Sequence, residues 1–242
     1  MWQDDLRGIY YVALKDMRTY YLKPPAISWG IVFPVAWILA FYLRSPRAFE
    51  ELVPGLIAMT ILFSTTAAEA VVINFELRIG SLERLLLAPL TFPAILLGKV
   101  LGGAMFGLIM TALVTTGSVL GLGLDVNVAQ LVLIIVPSLF AFSAMGALLC
   151  LMVKEVFEAQ TLANLPRFLM IFLSGVFYPL SAMPSLLRYV AYLLPLTYTV
   201  DGLRHALSPS DTLPVLIDSL ILIVATVIFT APAIKLLRRR FI

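Results

Sequence analysis

The side chains that most often carry catalysis are scarce in this chain of 242 residues. Cys150 is the one cysteine and His205 the one histidine, which excludes an internal disulfide and any multi-thiolate or paired-histidine metal site. Gly98-Lys99 is followed by a valine and lacks the upstream glycine and the hydroxyl residue of a phosphate-binding P-loop. Ser174 does not stand in a Gly-x-Ser-x-Gly nucleophile elbow. The sequence therefore argues against an enzyme and against ATP binding by this chain.

Glu69 is the one carboxylate placed well inside an apolar run, which makes it a candidate for intramembrane chemistry. An acid at the centre of a membrane helix costs about 2.5–3.5 kcal/mol, and the apolar residues of 53–73 return about 3–5 kcal/mol. Helical rise places Glu69 about 9 Å from the centre of that run. Two interpretations stay open: a structural acid that reaches interfacial water or Arg167, or a role in substrate or proton handling. The same two interpretations apply to Asp218.

The elements that position these residues must be membrane helices. Hydrophobic residues make up 61% of the chain and charged residues 13%, and the mean hydropathy is +1.01. A soluble domain has about 45–50% apolar and about 25% charged residues. The net charge of +3 is too small to indicate nucleic-acid binding. We predict a single all-α transmembrane domain over 1–242, with six spans at 28–43, 53–73, 95–120, 131–153, 161–180 and 213–234.

The distribution of basic residues predicts the orientation of these spans. With six spans, thirteen lysines and arginines fall on the side of both termini and four on the other. This bias predicts cytoplasmic termini in a multi-pass protein of the cytoplasmic (inner) membrane. The thirteen are Arg7, Lys15, Arg18, Lys23, Arg78, Arg84, Lys99, Lys154, Arg167, Lys235, Arg238, Arg239 and Arg240. The four are Arg44, Arg47, Arg188 and Arg204.

Residues 1–23 form an amphipathic segment before the first predicted span. Between 2 and 22 the apolar side chains recur on one helical face, and the charged ones lie off it. The pattern predicts a helix in the cytoplasmic interface, with packing on a soluble partner as the alternative. The apolar face is Leu6, Ile9, Tyr10, Ala13, Leu14, Met17, Tyr20 and Tyr21, and the charged residues are Asp5, Lys15, Asp16 and Arg18.

A short helix is also predicted in the loop 74–93. Gly80 can end the incoming helix, and Ser81 can cap a new one. Leu82, Leu85 and Leu86 share one face opposite Glu83 and Arg84, and Pro89 and Pro93 end the helix before the next span. The helix is typical of a docking site for a cytoplasmic partner or of an ordinary interfacial loop.

Residues 181–212 lie outside the membrane in this topology and are too apolar for a solvated loop. They are also too interrupted for a span, so we expect short re-entrant or interfacial helices. Pro184 would begin one of them, and Pro195 would separate it from the next. Small-residue ladders at Gly98/Gly102, Gly103/Gly107 and Gly117/Gly121 predict close helix packing, within the chain rather than at a dimer seam.

Three segments, in order along the whole chain, are similar to those of a known family. They are Glu76-Leu-Arg-Ile-Gly-Ser-Leu-Glu-Arg-Leu-Leu-Leu-Ala-Pro89-Leu with Ile95-Leu-Leu-Gly-Lys99, then Leu173-Ser-Gly-Val-Phe-Tyr-Pro-Leu-Ser-Ala-Met-Pro184, then Leu194-Pro-Leu-Thr-Tyr-Thr-Val-Asp-Gly-Leu-Arg204. With the predicted topology, they resemble the type-2 permease subunits of ATP-binding-cassette exporters.

The resemblance implies a dimeric permease, most simply a homodimer in membrane lipid, with two copies of a separate ATPase subunit. ATP and Mg would bind to that partner, and no cofactor to this chain. The implied coupling helix and docking residues are Glu76, Arg78, Ser81, Leu82, Glu83, Leu85, Leu86 and Pro89. The implied substrate path between protomers is Thr65, Thr66, Glu69, Asn164, Phe168, Phe172 and Tyr178, a lining suited to amphipathic, lipid-like or drug-like molecules.

Two other classes stay open on the sequence. One is a secondary carrier or channel that works without ATP, although one isolated acid and the lack of an internal repeat give it little support. The other is a membrane anchor or assembly factor with no transport cycle.

Overall fold

The computed structural model describes residues 2–23, 35–36, 39–40, 42–43, 49–153, 155–208 and 212–241. Over these residues the regular structure is entirely helical, without strands, as predicted. Most of the predicted span 28–43 lies outside the described residues. The helices are α1 (Trp2–Asp16, continued by a π-turn over Met17–Tyr21), α2 (Phe49–Arg78), α3 (Ser81–Leu86), α4 (Phe92–Leu122), α5 (Val128–Met152), α6 (Val156–Leu173), α7 (Ser185–Ala191), α8 (Pro195–Leu207) and α9 (Thr212–Phe241).

Four of these helices, α2, α4, α5 and α9, are long and apolar enough to cross a membrane. They contain most or all of the predicted spans 53–73, 95–120, 131–153 and 213–234. The fifth predicted span, 161–180, overlaps α6 over 161–173 only, since α6 begins five residues earlier and ends seven residues earlier, and α6 is not one of these four helices. Within the described part of the chain the count of long apolar helices is thus four, and six spans remain a prediction.

The chain alternates between two ends of the helix bundle. We call the end that carries α3 the basal end, and the end that carries α7, α8 and residues 123–127 the distal end. At the basal end, Arg240 Nη2 donates to the carbonyl of Leu151 at 3.1 Å, which joins the last turns of α9 and α5. At the distal end, the amide of Asn127 donates to the carbonyl of Ala206 at 3.0 Å, which joins the α4–α5 turn to α8.

The predicted prolines mark where the two distal helices begin. Pro184 is the residue before α7, and Pro195 is the first residue of α8, as the sequence predicted. The fixed φ of proline suits the first turn of a helix, where no amide donor is needed. At the basal end the boundaries differ from the prediction. Gly80 rather than Ser81 caps α3, and Pro93 lies in the first turn of α4 instead of ending α3.

Helix α2 is the central helix of the bundle and is buried along most of its length, whereas α9 is largely exposed. Glycines on α4 allow the neighbouring helices to approach it closely. A Cβ added at Gly103 would overlap Glu69 and Ser143, and one at Gly107 would overlap Thr65 and Leu139. Gly117 and Gly121 have no such neighbour among the described residues. Two of the three predicted ladders therefore pack within the chain.

Helix α1 packs along the first half of α4, and the two helices run in the same direction. Asp5 accepts from the amide of Thr91 at 3.1 Å, and the ring of Tyr21 stacks on Phe106 at 5.5 Å. Leu6 and Tyr10, from the predicted apolar face, are exposed and available to lipid. The prediction is wrong for Asp16, which is fully buried instead of lying on a charged outer face.

Replacing Gly107 by leucine should destabilise the protein, because the larger side chain must displace Thr65 and Leu139. Overpacking a core costs about 1–3 kcal/mol. The matched change Gly117→Leu on the same helix should leave the thermal midpoint within error. Thermal unfolding in detergent, with size-exclusion chromatography as the readout, gives the midpoints of the two variants. Equal midpoints for both variants would contradict the close packing.

Candidate functional site

The basal end contains a buried cluster of charges formed by Lys15, Asp16, Glu76 and Lys99, which we call the basal ion cluster. Lys99 Nζ lies 2.8 Å from Asp16 Oδ2 and also donates to Glu76 Oε2. Lys15 Nζ donates to Glu76 Oε1 at 2.5 Å and lies 3.1 Å from Asp16 Oδ1. The cluster therefore joins α1, α2 and α4 through two cations and two carboxylates.

Burial dominates the electrostatics of this cluster. The side chains of Asp16, Glu76 and Lys99 are almost completely buried, and Lys15 is one-third exposed. Burial raises the pKa of the Asp16 carboxyl above its usual value, and Lys99 opposes that rise. Uncompensated, each buried charge would be costly, so the four groups are stable only together. The arrangement fixes the register between α1 and α4.

The cluster lies directly beside α3. Glu76 is two residues before the end of α2, and Gly80 then turns the chain in the left-handed region with φ 68°. Glycine tolerates this conformation, which a side chain would strain. Leu82 of α3 is buried in an apolar cluster that also contains Ile73 of α2 and Ile95 of α4. Helix α3 is therefore mounted on the same helices that the ions hold.

The predicted docking residues divide by exposure. Arg78, Glu83 and Pro89 are exposed, Ser81 and Leu85 are partly buried, and Leu86 is the last residue of α3. Glu76 and Leu82 are buried within this chain, so they can position a docking surface but cannot contact a partner. The sequence did not single out Leu87, which is 86% exposed just beyond α3. The run of three leucines at 85–87 was the available signal, since a short helix cannot bury all three.

Arg167 organises a second polar group, between α2 and α6. Its Nε donates to Thr66 Oγ1 at 2.6 Å, and its Nη1 donates to Asn164 Oδ1 at 2.7 Å. The guanidinium also lies 5.6 Å from the centre of the Phe63 ring, within cation–π range. The structure thus brings together two of the predicted path residues, Thr66 and Asn164, through an arginine placed in neither predicted set.

Glu69 lies on another side of α2 and does not pair with Arg167, in contrast to the partner suggested from the sequence. Its Oε1 accepts from Tyr21 Oη at 3.3 Å and lies 3.3 Å from Ser143 Oγ. The Ser143 hydroxyl donates to the carbonyl of Val100 at 2.8 Å. Among the described residues, no donor reaches Glu69 Oε2. Glu69 and Thr65 are both buried against α4, away from the aromatic residues of the predicted path.

The remaining path residues form an exposed aromatic face on α6 and the turn after it. Phe168 and Phe172 are one helical turn apart and exposed, and Tyr178 is exposed beyond the end of the helix. Phe168 contacts Phe63 at 6.4 Å between ring centres, and Phe172 contacts Phe177 at 6.2 Å. An exposed apolar face with an arginine behind it can bind an amphipathic molecule or a second protomer.

No group of three metal-ligating side chains is present among the described residues. The described arrangements are suited to binding and to mechanical linkage. The basal end offers a small mixed surface on α3, and the α6 face offers aromatic rings.

Comparison with known proteins points to one family. The ABC-2 type transporter family matches residues 7–208. The probable multidrug ABC transporter permease YbhS of Escherichia coli K12 is 28% identical over 202 residues, which are 81% of this chain and 53% of YbhS. The chain thus spans about half the length of that relative. The inner membrane transport permease YadH of the same organism is 26% identical over 250 residues, 96% of each chain. The putative transport permease ycf38 of Cyanophora paradoxa is 28% identical over 209 residues, 79% of this chain and 71% of ycf38.

Replacing Lys99 by methionine should loosen α1 from the bundle. The change leaves Asp16 and Glu76 buried with Lys15 alone, and removing one partner of a buried ion pair costs about 3–5 kcal/mol. We expect faster amide hydrogen exchange across α1, measured by mass spectrometry. Arg18→Met, at an exposed position next to α1, is the control and should leave exchange unchanged. Equal exchange in both variants would show that the cluster does not hold α1.

Proposed function

The chain belongs to the ABC-2 type transporter family, as a permease, and on this premise we propose that it carries an amphipathic molecule outward across the cytoplasmic membrane. Energy would come from ATP hydrolysed by two copies of a separate nucleotide-binding subunit, which would hold the ATP and Mg. Two protomers of this chain would form the membrane part, in the simplest case as a homodimer in lipid.

The observation that carries the proposal is the mounting of α3. Its outward side chains include Glu83 and Arg84, and Leu87 follows directly. Its inward residue Leu82 belongs to an apolar cluster with residues of α2 and α4. A partner that moves α3 would therefore also move α2 and α4, because α3 follows α2 directly and the basal ion cluster joins α2 to α4. This is the mechanical linkage that ATP-driven transport requires.

The α6 face supports the proposed substrate class. Phe168, Phe172 and Tyr178 offer apolar rings, and the Arg167 group supplies hydrogen-bonding capacity just behind them. An ion would find few ligands on such a surface, whereas a lipid-like or drug-like molecule combines an apolar body with polar atoms. We propose that two such faces, one from each protomer, line the transport path.

The charge distribution supports cytoplasmic termini. The basal end contains α3 and the end of α9, and it carries Arg78, Arg84 and the cluster Arg238–Arg240. Arg188 and Arg204 lie at the distal end. An excess of positive charge marks the cytoplasmic side of a membrane protein. The docking surface would then face the compartment that contains ATP.

The two alternative classes make different predictions. A secondary carrier or channel would transport in response to an ion gradient when purified alone. A non-transporting assembly factor could bind an ATPase whose activity would not respond to candidate substrates. The exporter proposal requires both a bound ATPase and a response to substrate.

Replacing Leu87 by aspartate should weaken ATPase docking without harming the fold. The side chain is 86% exposed, so the charge is tolerated in the free chain but would be desolvated against a partner. We expect the ATPase that co-purifies from native membranes in mild detergent to fall about tenfold, equivalent to about 1.4 kcal/mol. ATP hydrolysis and labelling with azido-ATP measure the bound subunit. Leu85 is a poorer choice, because it packs partly against the core.

The matched control is Leu193→Asp, the same change at a residue that is 82% exposed at the distal end. It should leave the co-purified ATPase activity unchanged. If the unaltered protein carries no ATPase under conditions that preserve other membrane complexes, the proposal fails. If both aspartate variants lose it equally, docking does not depend on the basal surface.

Disulfide cross-linking tests whether the α6 faces of two protomers meet. The native Cys150 is buried, so new cysteines report without interference. Phe172→Cys should form a cross-linked dimer in oxidised native membranes, because Phe172 would face its copy across the path. Val227→Cys on α9 is the control: Phe172 is 63% exposed and Val227 is 62% exposed. Gel electrophoresis without reductant measures the dimer, and equal cross-linking at both sites would contradict the proposed interface.

A further inference from the structure

A cavity at the distal end lies between the segment after α6, the start of α8 and the first turns of α9. Its volume is about 310 Å³, and we call it the distal cavity. Its polar lining consists mainly of Asp201, Asp218, Arg204, Thr197, Tyr192 and Tyr198. A larger cavity of about 730 Å³ shares Asp201 and Arg204 with it, which gives a ligand a way in.

The burial of the acid Asp218 is not explained by the rest of the fold. It lies on α9, is 6% exposed and lines the cavity. Among the described residues no donor reaches its Oδ2. A buried carboxylate oxygen without a hydrogen bond is costly, and natural proteins keep such groups where a ligand or a function compensates for them. The position therefore calls for a positively charged or hydrogen-donating group in the cavity.

Three other polar groups of the cavity donate hydrogen bonds to backbone carbonyls. The Tyr198 hydroxyl donates to the carbonyl of Tyr192 at 2.7 Å, and Thr197 Oγ1 donates to that of Ala191 at 2.5 Å. Arg204 Nη2 donates to the carbonyl of Gly175 at 2.5 Å. Asp201 Oδ2 lies 4.0 Å from His205 Nε2, and in the described part of the chain no ion pair within 4.0 Å joins Arg204 to Asp201 or Asp218. Two carboxyl groups and one guanidinium are thus the ionisable groups of the lining.

The lining favours an organic cation over a metal ion. A calcium ion needs six to eight oxygen ligands, and no group of three ligating side chains occurs in the described structure. A volume of about 310 Å³ far exceeds a bare ion but accommodates a small organic molecule. Carboxylates beside tyrosine rings are the chemistry that recognises alkylammonium groups, through charge and cation–π attraction.

We propose that the distal cavity binds a singly charged alkylammonium group, held by Asp218 and Asp201 with Tyr192 beside it. The group could belong to a free amine or to the headgroup of a lipid-like molecule. As a binding site the proposal stands on the cavity alone. As the place where a cationic amphiphile is held during export, it rests on the proposed function above.

The test uses the full-length chain in nanodiscs of phosphatidylglycerol, without ATP or an ATPase subunit. Choline is the probe, and binding is measured by isothermal titration calorimetry. Dimethylbutanol, in which carbon replaces the charged nitrogen of choline, should not bind. Asp218→Asn should weaken choline binding at least tenfold, and Asp201→Asn should weaken it less. Asp125→Asn, an exposed aspartate at the same end but outside the cavity lining, should leave it unchanged.

A second set of nanodiscs contains a lipid with a trimethylammonium headgroup. If headgroups reach the cavity from the membrane, choline will bind more weakly in these discs; if the site serves free amines, its affinity will be the same. The proposal is overturned if choline does not bind, if Asp218→Asn binds it as the unaltered protein does, or if dimethylbutanol binds equally well. Calcium binding that depends on Asp218 and excludes choline would also overturn it, in favour of a metal site. Because no ATPase is present, these outcomes are independent of the docking experiment with Leu87→Asp.

Discussion

The side chain of Lys99 ends between two buried carboxylates, and much of the basal half of the protein is arranged to accommodate it. Asp16 comes from α1 and Glu76 from α2, while the lysine belongs to α4. None of these groups could be buried alone, since each would carry a large desolvation penalty. The ions therefore fix how three separate segments assemble. The cluster also constrains the orientation of α3, because α2 ends two residues after Glu76 and α3 begins at Ser81, five residues after it.

The two ends of the bundle treat buried charge differently. At the basal end, opposite charges satisfy one another, and the arginine at the end of α9 is bound to carbonyls of α5. At the distal end, Asp218 lines an open cavity, Asp201 lies 4.0 Å from His205 Nε2, and Arg204 donates to a backbone carbonyl. A closed network gives rigidity, whereas an open one leaves interaction energy available to a ligand. The contrast suits a protein driven at one end and loaded or emptied toward the other.

Much of the fold could be predicted from the sequence, because long apolar runs and prolines act locally. The helices around 53–73, 95–120, 131–153 and 213–234 and the distal helix starts at Pro184 and Pro195 required no tertiary information. The inward placement of Asp16 could not be predicted the same way. Its periodicity puts it on a polar face, and only the distant Lys99 makes burial favourable. The pairing of Arg167 was predictable only in part. Asn164 lies three residues before it on the same helix, but no local signal shows that the arginine bonds to Thr66 rather than to Glu69.

The early end of α6 has a consequence for the surrounding bilayer. Its 18 residues give a length of about 27 Å, whereas the 30 residues of α2 give about 45 Å. A hydrocarbon core of about 30 Å is slightly thicker than α6 and much thinner than α2 is long. If α6 crosses the bilayer as the sequence predicts, its short length would make lipid thin beside it, whereas the apolar run 53–73 of α2, about 32 Å long, matches the hydrocarbon core. Arg167 lies six residues before the end of α6, about 9 Å along its axis, so local thinning would bring water closer to this charge. The bilayer itself would then help to stabilise an arginine at membrane depth.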